Sequence, residues 1–153
     1  MVRSEGTSAA AGLPRQSSDW GNSPMPIQVV NTAQLACSFG AMPATLTVLP
    51  VNRPLVSNQP AANIMDYQPQ VNIAPFGMCM SPSNPQVIAA TAAALGVFTP
   101  QPCIAVTLAP WVPGAVTVNI AGQPALDNIS TCNCAWAGII SVTMPGQVTT
   151  NIP

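Results

Sequence analysis

The sequence contains no lysine and no histidine, and only three arginines and four acidic residues in 153 positions. An average chain carries about a quarter charged residues, spread over its surface in both signs. Four of the seven charges, Arg3, Glu5, Arg15 and Asp19, fall in the first 25 positions, so residues 26–153 hold Arg53, Asp66 and Asp127 alone. Without a basic patch the electrostatic term behind nucleic-acid binding is missing, and nucleic acid is excluded as a partner. With histidine and lysine gone, general acid–base catalysis loses most of its donors, which argues against an enzyme. No apolar run reaches the roughly 18 to 20 residues needed to cross a bilayer. The N-terminus also lacks the continuous apolar segment of a signal peptide. The expectation is a protein made in the cytoplasm that, if exported, leaves by another route. Its exterior must be covered by a partner or solvated by Asn, Gln, Thr, Ser and backbone.

What is present points to a β-rich domain. Eighteen prolines exclude long helices and favour short strands, because proline is confined to strand edges, starts and bulges. Residues 1–24 mix Ser, Gly, Ala, Pro and charge without periodicity, the pattern of a flexible or partner-docked arm in which Trp20 could serve as an anchor. The compact domain is expected over 25–153, a length suited to one core. Strands are expected within 27–39, over 44–51 with Leu46 and Val48 alternating against Thr45 and Thr47, at Leu55-Val56, over 115–122, and after Cys134 before a short polar tail. Ser57-Asn58-Gln59-Pro60 and Val112-Pro113-Gly114 read as turns. One helix is expected, capped by Ser83 or Asn84, with Pro85 in its first turn and Gly96 as its stop. Carrying no charge on any face, it is expected to be buried.

The chain contains a repeat. From Cys37 to Cys79 it runs through apolar stretches broken by prolines, the tripeptide Gln-Pro-Ala and a polar turn. From Cys103 to Cys134 it does so again, with the second Gln-Pro-Ala at 123–125. Two pseudo-repeats of one β-unit are the expected architecture. Asp66 and Asp127 each follow a Gln-Pro-Ala by a few residues, where capping a turn is the natural role.

All five cysteines, Cys37, Cys79, Cys103, Cys132 and Cys134, fall at expected strand ends or beside turns. In a reducing compartment they are thiols or metal ligands before they are disulfides. Four thiolates can enclose a tetrahedral Zn2+ with no open position. Spacing alone leaves buried hydrophobic cysteines as an equally good reading, since no CxxC occurs. The repeat favours metal, because each unit delivers a cysteine at both ends. Cys132 and Cys134 are two apart, so either could ligate. The seven methionines are scattered and read as gap fillers, and Trp111 and Trp136 as core or interface residues.

The ordered series LACSFG (35–40), QPAANIMD (59–66), VNIAPFGMC (71–79), ALGVFTPQPC (94–103), APWVPG (109–114), GQPALDN (122–128) and CAWAGII (134–140) resembles the PAAR-like domain family over about residues 25–147. The resemblance implies a small conical β-domain, with one short helix, that caps and sharpens the trimeric spike of a contractile injection system. Such systems include type VI secretion, extracellular phage-tail-like particles and phage tails. In that family a metal near the apex is commonly held by His and Cys. With no histidine here, the resemblance implies a cysteine-only site drawn from Cys37, Cys79, Cys103 and one or both of Cys132 and Cys134. The expected function is thus a non-enzymatic tip with a structural zinc, one copy per spike, that helps puncture the target envelope and touches its membrane transiently. Alternatives are an adaptor whose arm docks toxin cargo, and a stand-alone structural-metal module.

Overall fold

The computed structural model describes residues 25–153; the expected arm, residues 1–24, lies outside the described residues. Short strands dominate. β1 (Gln34–Cys37), β2 (Ala44–Thr45), β9 (Thr131–Asn133) and β10 (Ile139–Met144) form one antiparallel sheet in the order β2-β1-β10-β9, so the last strand of the chain sits between the first and the penultimate. Three two-stranded ladders complete the set: β3 (Leu55–Val56) with β4 (Gln59–Pro60), β5 (Met78–Cys79) with β6 (Gln101–Pro102), and β7 (Asn119–Ile120) with β8 (Gln123–Pro124). The mainly-β class with one short helix is as expected.

The repeat is visible in the backbone. β3–β4 and β7–β8 are hairpins with two-residue turns, Ser57-Asn58 and Ala121-Gly122, and all four turn residues have positive φ, as the tightest hairpins require. Each hairpin runs into Ala, then a β-turn. Asp66 N–H donates to the Asn63 carbonyl at 3.1 Å in the first unit, and Ser130 N–H to the Asp127 carbonyl at 3.3 Å in the second. The two units then clasp each other antiparallel. Ile64 N–H donates to the Pro124 carbonyl and Leu126 N–H to the Ala62 carbonyl, both at 3.0 Å. The duplicated Gln-Pro-Ala is therefore where the halves meet.

The alternation expected from residue 44 holds through Val48: Ala44, Leu46 and Val48 are buried while Thr45 and Thr47 are exposed. The long strand expected over 115–122 does not form. Ala125 accepts from Ala115 and donates to Val118, leaving Val116 and Thr117 bulged outward before β7 begins. The polar tail is also part of the body, since Asn151 bridges Ile27 and Ile152 is buried.

The helix α1 (Pro85–Ala93) stands where expected, with Asn84 Oδ1 accepting from Gln86 N–H at its cap. Its expected burial is not supplied by the described residues. Among the described residues only Val87 is buried in it, because the helix meets little but β6 and no second layer of those residues covers its outer side. Val87 joins the main core with Leu35, Leu46, Phe76, Trp111, Leu126 and Ile140. A smaller cluster gathers Ala61, Ala115, Ile120, Ala125 and Ile152 around the hairpins. Among the described residues no helix is long and apolar enough to cross a membrane.

The three formal charges of this region are withdrawn from the surface. Arg53 and Asp66 form a 2.8 Å ion pair with side chains 11% and 5% exposed, and Asp127 is buried and accepts the Ser130 hydroxyl at 2.6 Å. Among the described residues no charged side chain lies open to solvent. Burial nevertheless pushes the Asp66 carboxyl above its ordinary range, against the opposing pull of the Asn63 N–H and the Arg53 guanidinium.

Candidate metal centre

Cys37 ends β1, Cys79 ends β5, Cys103 directly follows β6, and Cys134 follows β9 in a bridge to Thr107. Strand pairing draws these four points together. Gly40, three residues after Cys37, bridges Cys79, and Cys103 N–H donates to the Gly77 carbonyl at 2.7 Å across the β5–β6 ladder. Cys37 and Cys134 meet around Gly138, whose own N-terminal neighbourhood is tied back by Cys134 N–H donating to the Gly138 carbonyl at 2.8 Å. A side chain at Gly138 would place its Cβ 2.9 Å from Cys37 Sγ and 3.5 Å from Cys134 Cβ. Glycine is what lets these two cysteines approach.

The electrostatics carry the same neighbourhood. Burial pushes the Cys103 thiol up to about 12, and the charges of Cys79, Cys37 and Cys134 add to it, with a hydrogen bond to Cys79 besides. Burial likewise raises Cys37, with Cys134 and Cys79 contributing in the same direction. All five thiols are buried and unpaired by disulfides. In a metal-free protein the raised thiols of Cys37, Cys103 and Cys132 stay protonated at neutral pH.

Cys132 stands apart. It and Cys37 both pair with Ile140, one from each side of β10, so all three share one row and one face of the sheet. Two strand spacings separate Cys132 from Cys37, about 9.6 Å, with Ile140 between them. Cys132 Sγ instead donates to the Ala109 carbonyl at 3.4 Å, and its thiol is pushed up to about 11, first by burial and then by Cys134. Of the two cysteines two apart in the sequence, Cys134 has left the strand and lies beside Gly138 and Cys37, while Cys132 does not.

The donor set fits a soft divalent ion in chemistry: four thiols, no competing imidazole, and a dry surround of Phe76, Leu35 and Ile140 in the same core. It is not drawn in to ligand spacing. Among the described residues no group of three or more His, Cys, Asp or Glu side chains is arranged to hold a metal ion as it stands. Mutual influence acts over longer distances than coordination, so both observations hold of one loose cluster. Asp66 and Asp127 stay out of it. Asp66 accepts from Asn63 N–H at 2.8 Å and Asp127 from Ser130, so both carboxylates are spent on the two turns. Two features were missed by sequence reasoning: the partnership of Arg53 with Asp66, and Gly138. The first had no spacing signal, and the second was legible only as a small residue inside CAWAGII.

The described residues form a small mainly-β body in which two repeats clasp each other and all five thiols are buried. The chain belongs to the family described as Domain of unknown function (DUF4280), whose model matches residues 29–147. That span takes in both repeats, all five cysteines and the helix. No curated protein and no solved structure matches the chain.

Proposed function

We propose that the chain is a structural tip protein, one copy seated on the trimeric spike of a contractile injection system, with Cys37, Cys79, Cys103 and Cys134 holding a structural metal, Zn2+ by preference. The observation that carries this reading is the exterior: a described body of 129 residues (25 to 153) whose every charged side chain is paired or buried. Free soluble domains keep themselves dispersed with charge. A tip spends most of its life against a spike and needs none. The motif series that resembles the PAAR-like family supports the same placement, and so do the short strands, whose open edges could extend a partner sheet by main-chain pairing.

In this reading the protein performs no reaction. A bound zinc would supply a cross-link between the two repeats, since metal binding to such sites is coupled to folding. The chain's own part is to bring four thiols from separate elements into one dry pocket and to keep Cys132 out of it. Elemental analysis of purified protein beside single Cys→Ser variants tests the site. Cys37, Cys79, Cys103 and Cys134 variants should each lose the metal, whereas Cys132→Ser should keep about one equivalent. Co-expression with the cognate spike trimer tests the seat: a complex of one chain per trimer is expected, and a monomer with no affinity for the spike would defeat the proposal.

A further inference from the structure

The cysteines of the cluster are not equally deep. Cys37 and Cys134 each keep 8% of their surface, Cys79 and Cys103 2%, and Cys132 none. The deeper pair is closed in by its own ladder, where Phe76 N–H donates to the Cys103 carbonyl at 2.9 Å and Phe76 is itself wholly buried. The shallow pair meets at Gly138, and a third group reaches the same point. Cδ2 of Phe39 lies 3.6 Å from where a Cβ of residue 138 would stand, beside Cys37 Sγ and Cys134 Cβ. Phe39 is half-buried and belongs to neither core cluster, nor to the half-buried side chains packed against them. Large aromatics normally anchor a core, whereas this one covers the edge of one.

Its backbone is fixed while its ring is not. Met80 N–H donates to the Phe39 carbonyl at 2.9 Å, and Gly40 N–H to the Cys37 carbonyl at 3.0 Å. A Cβ on Gly40 would fall 2.5 Å from Phe76 Cβ and 3.3 Å from Cys37 Cβ, so the turn that carries Phe39 is seated directly on the core. Uncovering the thiols therefore needs only rotation about the side-chain bonds of Phe39, with no ladder broken.

We infer that the Phe39 ring is the lid of the thiol cluster, and that a thiophilic divalent ion reaches and leaves its ligands between Cys37 and Cys134. A groove of about 310 Å³ nearby is lined by Pro102, Ile104, Val106 and Trp136 but by no cysteine, so it is not the way in among the described residues. The inference rests on the metal reading only for the identity of what passes.

The test is alkylation of the metal-stripped full chain by iodoacetamide, with each cysteine followed by peptide mass spectrometry. Each cysteine is compared with itself between variants, which cancels differences in thiol acidity. Phe39→Ala should speed Cys37 and Cys134 about tenfold, roughly what burying half a phenyl ring is worth. Cys132 should keep the parent's rate, since it is freed only when the fold opens as a whole. Ile104→Ala, which widens the neighbouring groove, should change none of the three. In zinc-loaded protein Phe39→Ala should hand its ion to a chelator about tenfold faster while still holding about one equivalent at equilibrium. Where Phe39→Ala also speeds Cys132 the fold has loosened, and Phe39→Leu is read in its place. Unchanged rates at Cys37 and Cys134, the same rise with Ile104→Ala, a Cys132 rise matching the others in both Phe39 variants, or an unchanged chelation rate in a chain that does bind zinc overturns the inference. A chain that takes up no zinc sinks the metal reading instead and leaves the alkylation result standing.

Discussion

Gly138 shows how much one missing methyl can decide. With 2.9 Å between a would-be Cβ and Cys37 Sγ, Gly138→Ala must push the thiol out of the cluster. Overpacking of this kind costs about 1–3 kcal/mol, so a lowered melting temperature together with weakened metal retention is expected by calorimetry and elemental analysis. The thiols also give the protein an alkaline limit. Cys103 and Cys132 titrate in the folded state at about 12 and about 11, against an ordinary value of 9.0. A folded pKa raised above the unfolded one means the native state holds its protons longer, so these groups add stability that is whole below about pH 9. That stability drains away as pH climbs from there through 11 to 12. Denaturant midpoints of metal-stripped protein should therefore fall across this window. Zinc should remove the part of the fall that comes from Cys103, because a ligand is deprotonated already, and leave the part that comes from Cys132.

At the scale of elements, the two turns that follow Gln-Pro-Ala have diverged in chemistry while keeping one shape. The first places Asn63 and Asp66 at its ends and the second Asp127 and Ser130, so a carboxylate closes each turn from opposite ends. Only the first needed a counter-ion. Its Asp66 lies 2.8 Å from Arg53, and removing the cation leaves a carboxylate buried among neutral groups. Arg53→Met should cost about 3 kcal/mol in equilibrium denaturation, while Arg53→Met/Asp66→Asn should recover much of it, since no isolated charge remains. An additive double-mutant cycle would mean that the pair is only incidental.

At the scale of the whole molecule, the absence of exposed charged side chains among the described residues is the property from which behaviour follows. Free protein should self-associate in low-charge conditions and be held dispersed by its partner. Removing residues 2–24 takes away Arg3, Glu5, Arg15 and Asp19, every charge outside the buried three. The truncated chain should still cap a spike if the tip reading is right, and lose only cargo if the arm is an adaptor. Pull-down of spike and cargo from one co-expression separates these outcomes. Chelation of the metal should lower the melting temperature of the whole body at once, because the four thiols come from both repeats and no half retains a site of its own.

The class of fold was legible in the residues: prolines that forbid long helices, Asn84 and Pro85 that start one short helix, and a Gln-Pro-Ala written twice. Alternation through Ala44, Leu46 and Val48 and the capping role of both aspartates were legible for the same reason, since local backbone chemistry acts over a few residues. The route from 115 to 122 was not, because Ala125 across the β7–β8 hairpin claimed its hydrogen bonds. Nor was the exposure of α1 among the described residues, which supply no second layer to cover it. The selection among five cysteines belonged wholly to the tertiary structure. Spacing places Cys132 and Cys134 on equal terms, and only the row Cys37, Ile140, Cys132 across three strands sets the main chain of Cys132 about 9.6 Å from that of Cys37 while its neighbour Cys134 turns toward Gly138.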